Sequence, residues 1–316
     1  MEQGIPNLVA FAETMEALAA KDKNILAVTS DSRGSGKLVN FGKLYPKQIV
    51  EVGIAEQNLV GMSAGLASTG KKVFAVSPSC FLTARSLEQI KNDVCYSDNP
   101  VNLIGISAGV SYGALGSTHH SLHDIAVLRA INNIHIIVPA DNFETIEAIQ
   151  FAVQVDKPVF IRFGKRPMYH LHNSNTKFEL GKGITLKNGN DLAFIATGET
   201  VYHAYKAAEQ LEKEGIKCTV VSMHSIKPFD EQLLLEVADR CQSMVTVEEH
   251  CINGGLGELC ASILMQYGKK LAFKIVGIPD EYTVTGSQID IFNHYGISEE
   301  GLYKVGKALV EENISV

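Results

Sequence analysis

Glu56 is the residue of this sequence with the clearest capacity for chemistry. It is the only charged side chain between Val52 and Gly70, and the segment around it is small and apolar. Such a segment is expected to be buried, and an ionised carboxylate in a low dielectric is costly unless a partner or a ligand pairs with it. A Glu at a helix start is also favoured by the helix dipole, so a structural role stays open at this point.

Other polar and aromatic residues follow predicted strands in the same half of the chain. They are Asp31, Phe81 with Arg85, and the run Gly-Ser-Thr-His-His at residues 116–120. Because the carboxyl ends of parallel strands meet at one edge of a sheet, we expect these residues to share one cleft. An acid, an aromatic platform and two His residues suit a flat heterocyclic ligand whose ring nitrogen meets a buried carboxylate.

Three short motifs point to other chemistry, but their context does not support it. Residues 105–109 match Gly-x-Ser-x-Gly, yet the helix start that a serine hydrolase requires does not follow. Residues 34–37 resemble a phosphate loop, but Asp31 stands where the first Gly is needed. His119 and His123 have the spacing of a zinc helix without the Glu of H-E-x-x-H. We therefore expect no metal site from this chain's own residues.

The composition is that of an ordinary globular protein. The 316 residues carry a formal net charge of −7, no Trp and no basic cluster, which argues against nucleic-acid binding. Residues 99–123 are uncharged, but their Gly, Ser, Asn and His content argues against a membrane span. Six scattered Cys residues, with no C-x-x-C pair and no secretory leader, predict buried thiols in a reducing cytoplasm.

Short apolar runs alternate with amphipathic stretches, which is the pattern of parallel sheets covered by helices. In the first half this predicts strands at 25–29, 72–76, 101–106, 135–138 and 158–163, and helices at 6–20, 55–68, 81–95, 120–131 and 143–155. In the second half it predicts strands at 192–197, 218–223, 244–248 and 273–276, and helices at 201–214, 230–239, 255–267 and 299–312. We therefore predict two parallel-sheet α/β domains at 1–172 and 188–316, joined by a linker at 173–187.

The motifs taken together resemble the transketolase family. In the first half they are residues 52–67, 81–90, 116–120 and 137–141; in the second half they are Ala-Thr-Gly at 196–198, Ser-Ile-Lys-Pro at 225–228, Val-Glu-Glu-His at 247–250 and Gly-Gly-Leu-Gly at 254–257. The first half is similar to the pyrimidine-binding domain of transketolases and the second to their C-terminal domain. The Gly-Asp-Gly metal motif of their diphosphate-binding domain does not occur in the sequence. The chain thus resembles the C-terminal subunit of a split transketolase.

The resemblance implies that this chain binds the pyrimidine half of thiamine diphosphate. Glu56 would bond N1′ of the aminopyrimidine and promote the imino tautomer, whose exocyclic nitrogen removes the C2 proton of the thiazolium. Phe81 would stack on the pyrimidine. Related sequences place this aromatic residue at the position of Leu82, so the choice between the two stays open. Asp31 and Arg85 are assigned to the same cofactor site.

The resemblance also implies contacts with a sugar substrate. His119 would face the oxygens of the ketose donor, Thr118 would fix its loop, and His120 would assist or cap the following helix. Arg162 would hold a sugar phosphate, with a structural salt bridge at the strand end as the alternative. Ser35 is assigned to the same substrate-binding group.

Three departures from the family pattern concern the substrate. Leu115 replaces an Asp that reads a sugar hydroxyl, Ser107 replaces a phosphate-binding His, and Leu8 stands near the position of an early Arg. They indicate two-carbon ketol transfer with a donor or acceptor other than the standard pentose phosphates. A branched, deoxy or sulfonated sugar is compatible with them.

The resemblance further implies a partner. An N-terminal subunit would supply the diphosphate and Mg²⁺ site, giving an α2β2 heterotetramer in which the small-residue helix after Glu56 forms a homodimer face. This chain alone would then be inactive. Two alternatives stay open: the β subunit of a 2-oxoacid dehydrogenase or a deoxyxylulose-phosphate synthase-like enzyme, and a non-catalytic binding or regulatory subunit.

Overall fold

Two sheets, each built mainly from parallel strands, form the centre of the molecule. The computed structural model describes residues 1–173 and 175–314. The strands are β1 (Gln3–Pro6), β2 (Ile25–Thr29), β3 (Ile49–Glu51), β4 (Lys72–Pro78), β5 (Val101–Ile106), β6 (His135–Ile137), β7 (Val159–Phe163), β8 (Pro167–Tyr169), β9 (Ile184–Lys187), β10 (Leu192–Ala196), β11 (Cys218–Ser222), β12 (Ser225–Lys227), β13 (Ser243–Cys251) and β14 (Ala272–Ile278).

Helices cover both sheets. They are α1 (Asn7–Ala19), α2 (Val39–Leu44), α3 (Glu56–Ala67), α4 (Ser79–Arg85), α5 (Leu87–Gln89), α6 (Asp124–Arg129), α7 (Asn142–Ala152), α8 (Thr200–Lys213), α9 (Glu231–Arg240), α10 (Leu256–Gln266), α11 (Gln288–His294) and α12 (Glu299–Ile314), with a π-helical segment at Ile90–Tyr96 and a 3-10 turn at Gly113–Leu115. Within the described part of the chain, none of these helices is long and apolar enough to cross a membrane.

The first sheet has seven strands in the order β12-β6-β7-β5-β4-β2-β3. Neighbouring strands are parallel except for β12 against β6. Strands β2 and β5 are mainly apolar and are buried along their whole length, which is typical of parallel strands covered on both faces. The second sheet, β14-β13-β10-β11-β9, is parallel except at β9. The predicted class of two parallel-sheet α/β units is therefore confirmed, whereas the domain boundaries stay a prediction.

Two predicted helices differ from the structure. The helix predicted at 81–95 is interrupted at Ser86, which leaves the helical region (φ −115°, ψ 24°) and donates its hydroxyl to the Leu82 carbonyl. The helix predicted at 120–131 begins only at Asp124, because the preceding residues belong to a loop. Ser121 is held there by its N–H bond to the Gly109 carbonyl, 2.8 Å long.

The second half of the chain contributes β12 to the edge of the first sheet. Ser225 pairs with Ile137, and the Val138 N–H donates to the His224 carbonyl at 2.8 Å. The Lys227 ammonium also donates to the carbonyl of Arg129, at 3.1 Å. Sequence analysis predicted no strand here, nor β3, α2 or α11, because segments this short carry too little periodicity to be recognised. The two halves thus share one sheet.

Candidate active site

Glu56 is the first residue of α3 and lies at the carboxyl edge of the first sheet. Its side chain is only 5% exposed, and its Oε1 accepts a 2.8 Å hydrogen bond from Nη1 of Arg85, whose side chain is 47% exposed. Among the described residues, no side chain or backbone group donates to Oε2. Glu56, Arg85 and Ile54 line an open depression of about 650 Å³, and Ile54 is strongly exposed. One carboxylate oxygen is therefore paired internally, and the other is left for a ligand.

Phe81 is more accessible than its neighbour Leu82. The Phe81 ring is half-buried, with the Arg85 guanidinium 4.1 Å from its centroid and the His119 ring 5.3 Å away in an edge-on arrangement. Leu82 is fully buried in the hydrophobic core. A ligand ring can therefore reach Phe81 without repacking the core, which favours Phe81 for the proposed stacking role.

His119 is oriented by its neighbours. Its ring lies 5.3 Å from Phe81 and 5.5 Å from Tyr112, both edge-on, and its Nδ1 is 3.0 Å from the Thr118 hydroxyl. Because Nδ1 is engaged, Nε2 is the ring nitrogen left for other partners. The structure thus brings Glu56, Arg85, Phe81 and His119 into one connected row at the sheet edge.

His120 has a different environment from His119. It is 3% exposed; its Nδ1 is 2.6 Å from the Thr283 hydroxyl and its Nε2 is 3.0 Å from the Gly113 carbonyl. The carbonyl can only accept, so we assign the proton to Nε2 and let Nδ1 accept from Thr283. Burial lowers the pKa of His120, which keeps the ring neutral. With both nitrogens engaged, His120 fixes its loop, and its assignment to the substrate stays a prediction.

Asp31 and Ser35 lie on the loop after β2, the strand between β4 and β3. Asp31 is exposed in a left-handed conformation (φ 53°), and its N–H donates to Glu51 Oε1 at 2.6 Å. Ser35 is half-buried and donates to the Ser32 carbonyl at 3.3 Å. In the described part of the chain, neither forms a hydrogen bond or ion pair with Glu56. Their assignment to cofactor and substrate stays a prediction.

Arg162 lies in a buried ion pair. Its side chain is 4% exposed; Nη1 is 2.5 Å from Asp124 Oδ1, and Nη2 donates to the Glu249 carbonyl at 2.9 Å. Ser79 and Ser121 donate to the other Asp124 oxygen. Burial alone would raise the pKa of Asp124, but Arg162 and these hydroxyls hold it below its usual value. This arrangement fits the structural alternative and does not support the predicted phosphate contact, which stays a prediction.

Further acids surround this ion pair where the two halves of the chain meet. The Gln288 amide donates to both Glu199 Oε2 (2.9 Å) and Glu249 Oε1 (2.8 Å). Burial raises the pKa of Glu249, and the neighbouring Glu199 raises it further. Burial raises the pKa of Glu248 to about 7. In the sequence, Glu248 and Glu249 were noted only as part of a motif that resembles the transketolase family. Their position, two adjacent acids in a predicted buried strand, also indicates a polar site.

The three departures from the family pattern lie in different places. Leu115 is exposed in the 3-10 turn that precedes the His119 loop. Ser107 is fully buried with φ 54°, and Leu8 belongs to the core. Of the three, only Leu115 can therefore meet a ligand without a change in the surrounding structure. Residues 1–173 and 175–314 contain no group of three or more His, Cys, Asp or Glu side chains arranged to hold a metal ion.

Comparison with known proteins agrees with this fold. Residues 3–169 match the transketolase pyrimidine-binding domain, and residues 181–302 match the transketolase C-terminal domain. The chain therefore belongs to the transketolase family.

Individual relatives extend this assignment. The chain is 47% identical to one subunit of the apulose-4-phosphate transketolase of Phocaeicola vulgatus, over 96% of this chain and 97% of that protein. It is 38% identical to the subunit of the same name from Actinobacillus succinogenes, over 90% and 92% of the two chains. A solved structure described as a split gene transketolase, inactive beta4 tetramer, is 32% identical with a TM-score of 0.86, and the match covers 99% of both chains. The predicted resemblance to a subunit of a split transketolase is confirmed.

Proposed function

We propose that this chain is the C-terminal subunit of a thiamine diphosphate-dependent transketolase that moves a two-carbon ketol unit from a ketose to an aldehyde. The observation that carries the proposal is the Glu56 carboxyl. It is buried and paired with Arg85 through one oxygen, its other oxygen has no donor among the described residues, and the same Arg85 guanidinium lies over the half-exposed Phe81 ring. A buried carboxyl next to an aromatic ring is the environment that a protonatable nitrogen heterocycle requires.

The residues present fit the pyrimidine half of the cofactor. Glu56 would hold a proton at the ring nitrogen N1′, Phe81 would pack against the ring face, and Arg85 would keep the Glu56 carboxylate in place. When bound, thiamine diphosphate supplies the electron sink for a two-carbon carbanion. His119, whose Nε2 points away from its Thr118 contact, would bind oxygens of the donor sugar and stabilise developing charge.

We infer that the diphosphate and Mg²⁺ are held mainly by a separate N-terminal subunit, because the sequence has no Gly-Asp-Gly motif. Relatives whose names describe one subunit of a transketolase support such a division. We propose an α2β2 assembly in which α3 contributes to contact between two copies of this chain. The names of these relatives make apulose 4-phosphate the first donor to test.

The test is reconstitution with the N-terminal subunit, followed by assays with ketose donors and aldehyde acceptors. We expect ketol transfer that requires both subunits, and no decarboxylation of 2-oxoacids. Decarboxylation would favour the 2-oxoacid dehydrogenase or deoxyxylulose-phosphate synthase-like alternative. Activity of this chain without a partner would contradict the split arrangement.

Substitution of Glu56 tests its role directly. Glu56→Gln keeps the side-chain shape but removes the proton-holding group, so we expect turnover to fall about 100-fold or more. Glu13→Gln, on the exposed side of α1, is the matched control and should leave turnover unchanged. Full turnover in a folded Glu56→Gln pair would mean that Glu56 is structural and would favour a non-catalytic role for this chain.

A further inference from the structure

His119 contacts two aromatic rings, and each of these rings has a cation over one face. One is Phe81, whose centroid lies 5.3 Å from the imidazole and 4.1 Å from the Arg85 guanidinium. The other is Tyr112, whose centroid lies 5.5 Å from the imidazole and 3.8 Å from the Lys165 ammonium. A cation at this distance is attracted to the ring face and so restrains the ring. The imidazole therefore packs against two rings that are themselves held in place.

The contact between Tyr112 and His119 is built into one loop. Tyr112 directly precedes the 3-10 turn, and its carbonyl accepts from the Leu115 N–H at 3.1 Å. Gly116 then takes a left-handed backbone (φ 71°), where an added Cβ would come within 3.1 Å of the Thr285 methyl group. The Gly116 carbonyl accepts from the His119 N–H at 2.9 Å. A turn that reverses the chain after Tyr112 therefore brings the two rings together.

Hydrogen bonding alone does not fix the His119 ring. In the described part of the chain, the only hydrogen-bond partner of this ring is the hydroxyl of the adjacent Thr118, 3.0 Å from Nδ1. Thr118 is exposed, and an exposed hydroxyl can rotate or bond to water instead. His120 of the same loop differs, because it is buried and bonded at both nitrogens. The aromatic contacts are therefore what can give His119 a defined orientation.

The two rings differ in what else they are expected to do. Phe81 is proposed to pack on the cofactor ring, so its contact with His119 would be shared with a ligand. The half-buried Tyr112 ring has no such assignment; its ring contacts among the described residues are with His119 and Lys165. Aromatic pairs of this geometry contribute free energy beyond the area that they bury. Loss of the Tyr112 ring should therefore affect the orientation of His119.

We propose that Tyr112 is a positioning residue that orients the His119 ring, with Nε2 directed to the donor sugar. This inference rests on the proposed ketol transfer, in which His119 stabilises developing charge. A charge-stabilising group is most effective where its orientation is fixed before the reaction. Tyr112 itself acts only through His119 and takes no part in the bond changes.

The experiment uses the chain reconstituted with its N-terminal subunit and measures kcat/KM for the donor sugar that the wild-type pair accepts. Tyr112→Leu removes the ring, so we expect kcat/KM to fall about tenfold. Tyr112→Phe keeps the ring and should stay within about twofold of wild type. Tyr267→Leu, the same change at an exposed tyrosine at the end of α10, is the matched control and should leave kcat/KM unchanged.

A double substitution separates positioning from packing. In a His119→Ala background, Tyr112→Leu should cause no further loss of kcat/KM, because the group that Tyr112 orients is gone. A loss of similar size that persists without His119 would show that Tyr112 acts by another route, such as through Lys165, and would overturn the inference. An equal loss in Tyr112→Phe would also overturn it, because the effect would then belong to the hydroxyl and not to the ring.

Crystal structures of the same complexes keep this inference separate from the proposed function. The His119 ring should have one orientation in the wild-type and Tyr112→Phe pairs, and a different orientation or several in the Tyr112→Leu pair. If the wild-type pair transfers no ketol unit, or if His119→Ala leaves transfer unchanged, the proposed role of His119 fails while these ring orientations still decide the role of Tyr112. A His119 ring that is unmoved in the Tyr112→Leu pair would contradict that role.

Discussion

Two carboxylate–arginine pairs of this molecule have similar distances but differ in how deeply their arginines are buried. Glu56 and Arg85 are 2.8 Å apart with the arginine 47% exposed, whereas Asp124 and Arg162 are 2.5 Å apart with both side chains almost fully buried. Asp124 accepts hydrogen bonds at both oxygens, whereas Glu56 is bonded at one. A carboxylate that is paired with an arginine can bind a further ligand only where one of its oxygens has no hydrogen-bond donor.

The two pairs are also expected to contribute to different properties, one to stability and the other to activity. The buried pair joins the first half of the chain to the second, because Arg162 reaches the Glu249 carbonyl. The Glu56–Arg85 pair lies at the rim of an open depression and joins α3 to α4. We therefore expect substitutions at the buried pair to change folding, and substitutions at the Glu56–Arg85 pair to change function.

The largest expected effect on stability follows removal of one partner of the buried pair. Asp124→Asn removes the carboxylate that bonds the buried Arg162 guanidinium, so we expect the free energy of unfolding to fall by about 3–5 kcal/mol. Arg85→Met, its counterpart in the Glu56–Arg85 pair, should lower the free energy of unfolding less, because the Glu56 carboxylate lines an open depression. Urea unfolding of both variants checks this difference. Equal losses would show that the contrast between the two pairs is wrong.

A second prediction concerns the pH dependence of the buried region. The pKa of Glu249 is raised in the folded state, by burial and by Glu199, above its unfolded value of about 4.3. The stability that this group contributes is therefore complete below about pH 4.3 and is lost as pH rises through the folded-state pKa. Each proton released on unfolding steepens the decline by about 1.4 kcal/mol per pH unit. The Glu249 contribution should fall from pH 5 towards pH 8, whereas His250 and His203, whose pKa burial lowers to about 4, contribute stability that rises between about pH 4 and pH 6.5.

Glu249→Gln has no proton to release at that position, so the unfolding free energy of the variant minus that of wild type, measured from pH 5 to pH 8, should rise with pH. Glu248, whose pKa burial raises to about 7, keeps its own falling contribution in the variant. Glu13→Gln should keep the wild-type slope. If Glu249→Gln also kept it, another group would be responsible for the pH dependence.

The smallest expected change in stability follows substitution of Thr283, which contacts the loop that carries His119. Its hydroxyl bonds His120 Nδ1 at 2.6 Å and lies 3.0 Å from the Ser117 hydroxyl. Thr283→Val removes both contacts while keeping the side-chain volume, so we expect a loss of about 1–3 kcal/mol in stability. Because His119 lies in the same loop as His120, KM for the donor sugar should rise a few-fold with little change in kcat. Thr283→Ser keeps the hydroxyl and should restore both values; failure to do so would limit Thr283 to a packing role.

Residue type and position after a strand were sufficient to find part of the site. Glu56, Phe81, Arg85 and His119 were predicted to share one cleft, and the structure brings them together. The parallel sheets were predictable because continuous apolar runs leave a strong pattern. Short elements such as β12 leave none, and they were missed.

Contacts between distant parts of the chain set the limit of sequence analysis. The partner of His120 is 163 residues away in Thr283, and no local pattern indicates that pairing. The role of Arg162 likewise depends on a distant residue, because the ion pair with Asp124 occupies the guanidinium.

The strand β12 has a consequence for the solubility of the first half. It covers β6, whose other side is already paired with β7. A chain cut before Ser225 would expose the backbone donors and acceptors of β6 along an apolar edge containing Ile136 and Ile137. Such an edge is a template for pairing with other chains, and so for aggregation. The second half therefore protects the first from self-association, in addition to any part that it plays in the reaction.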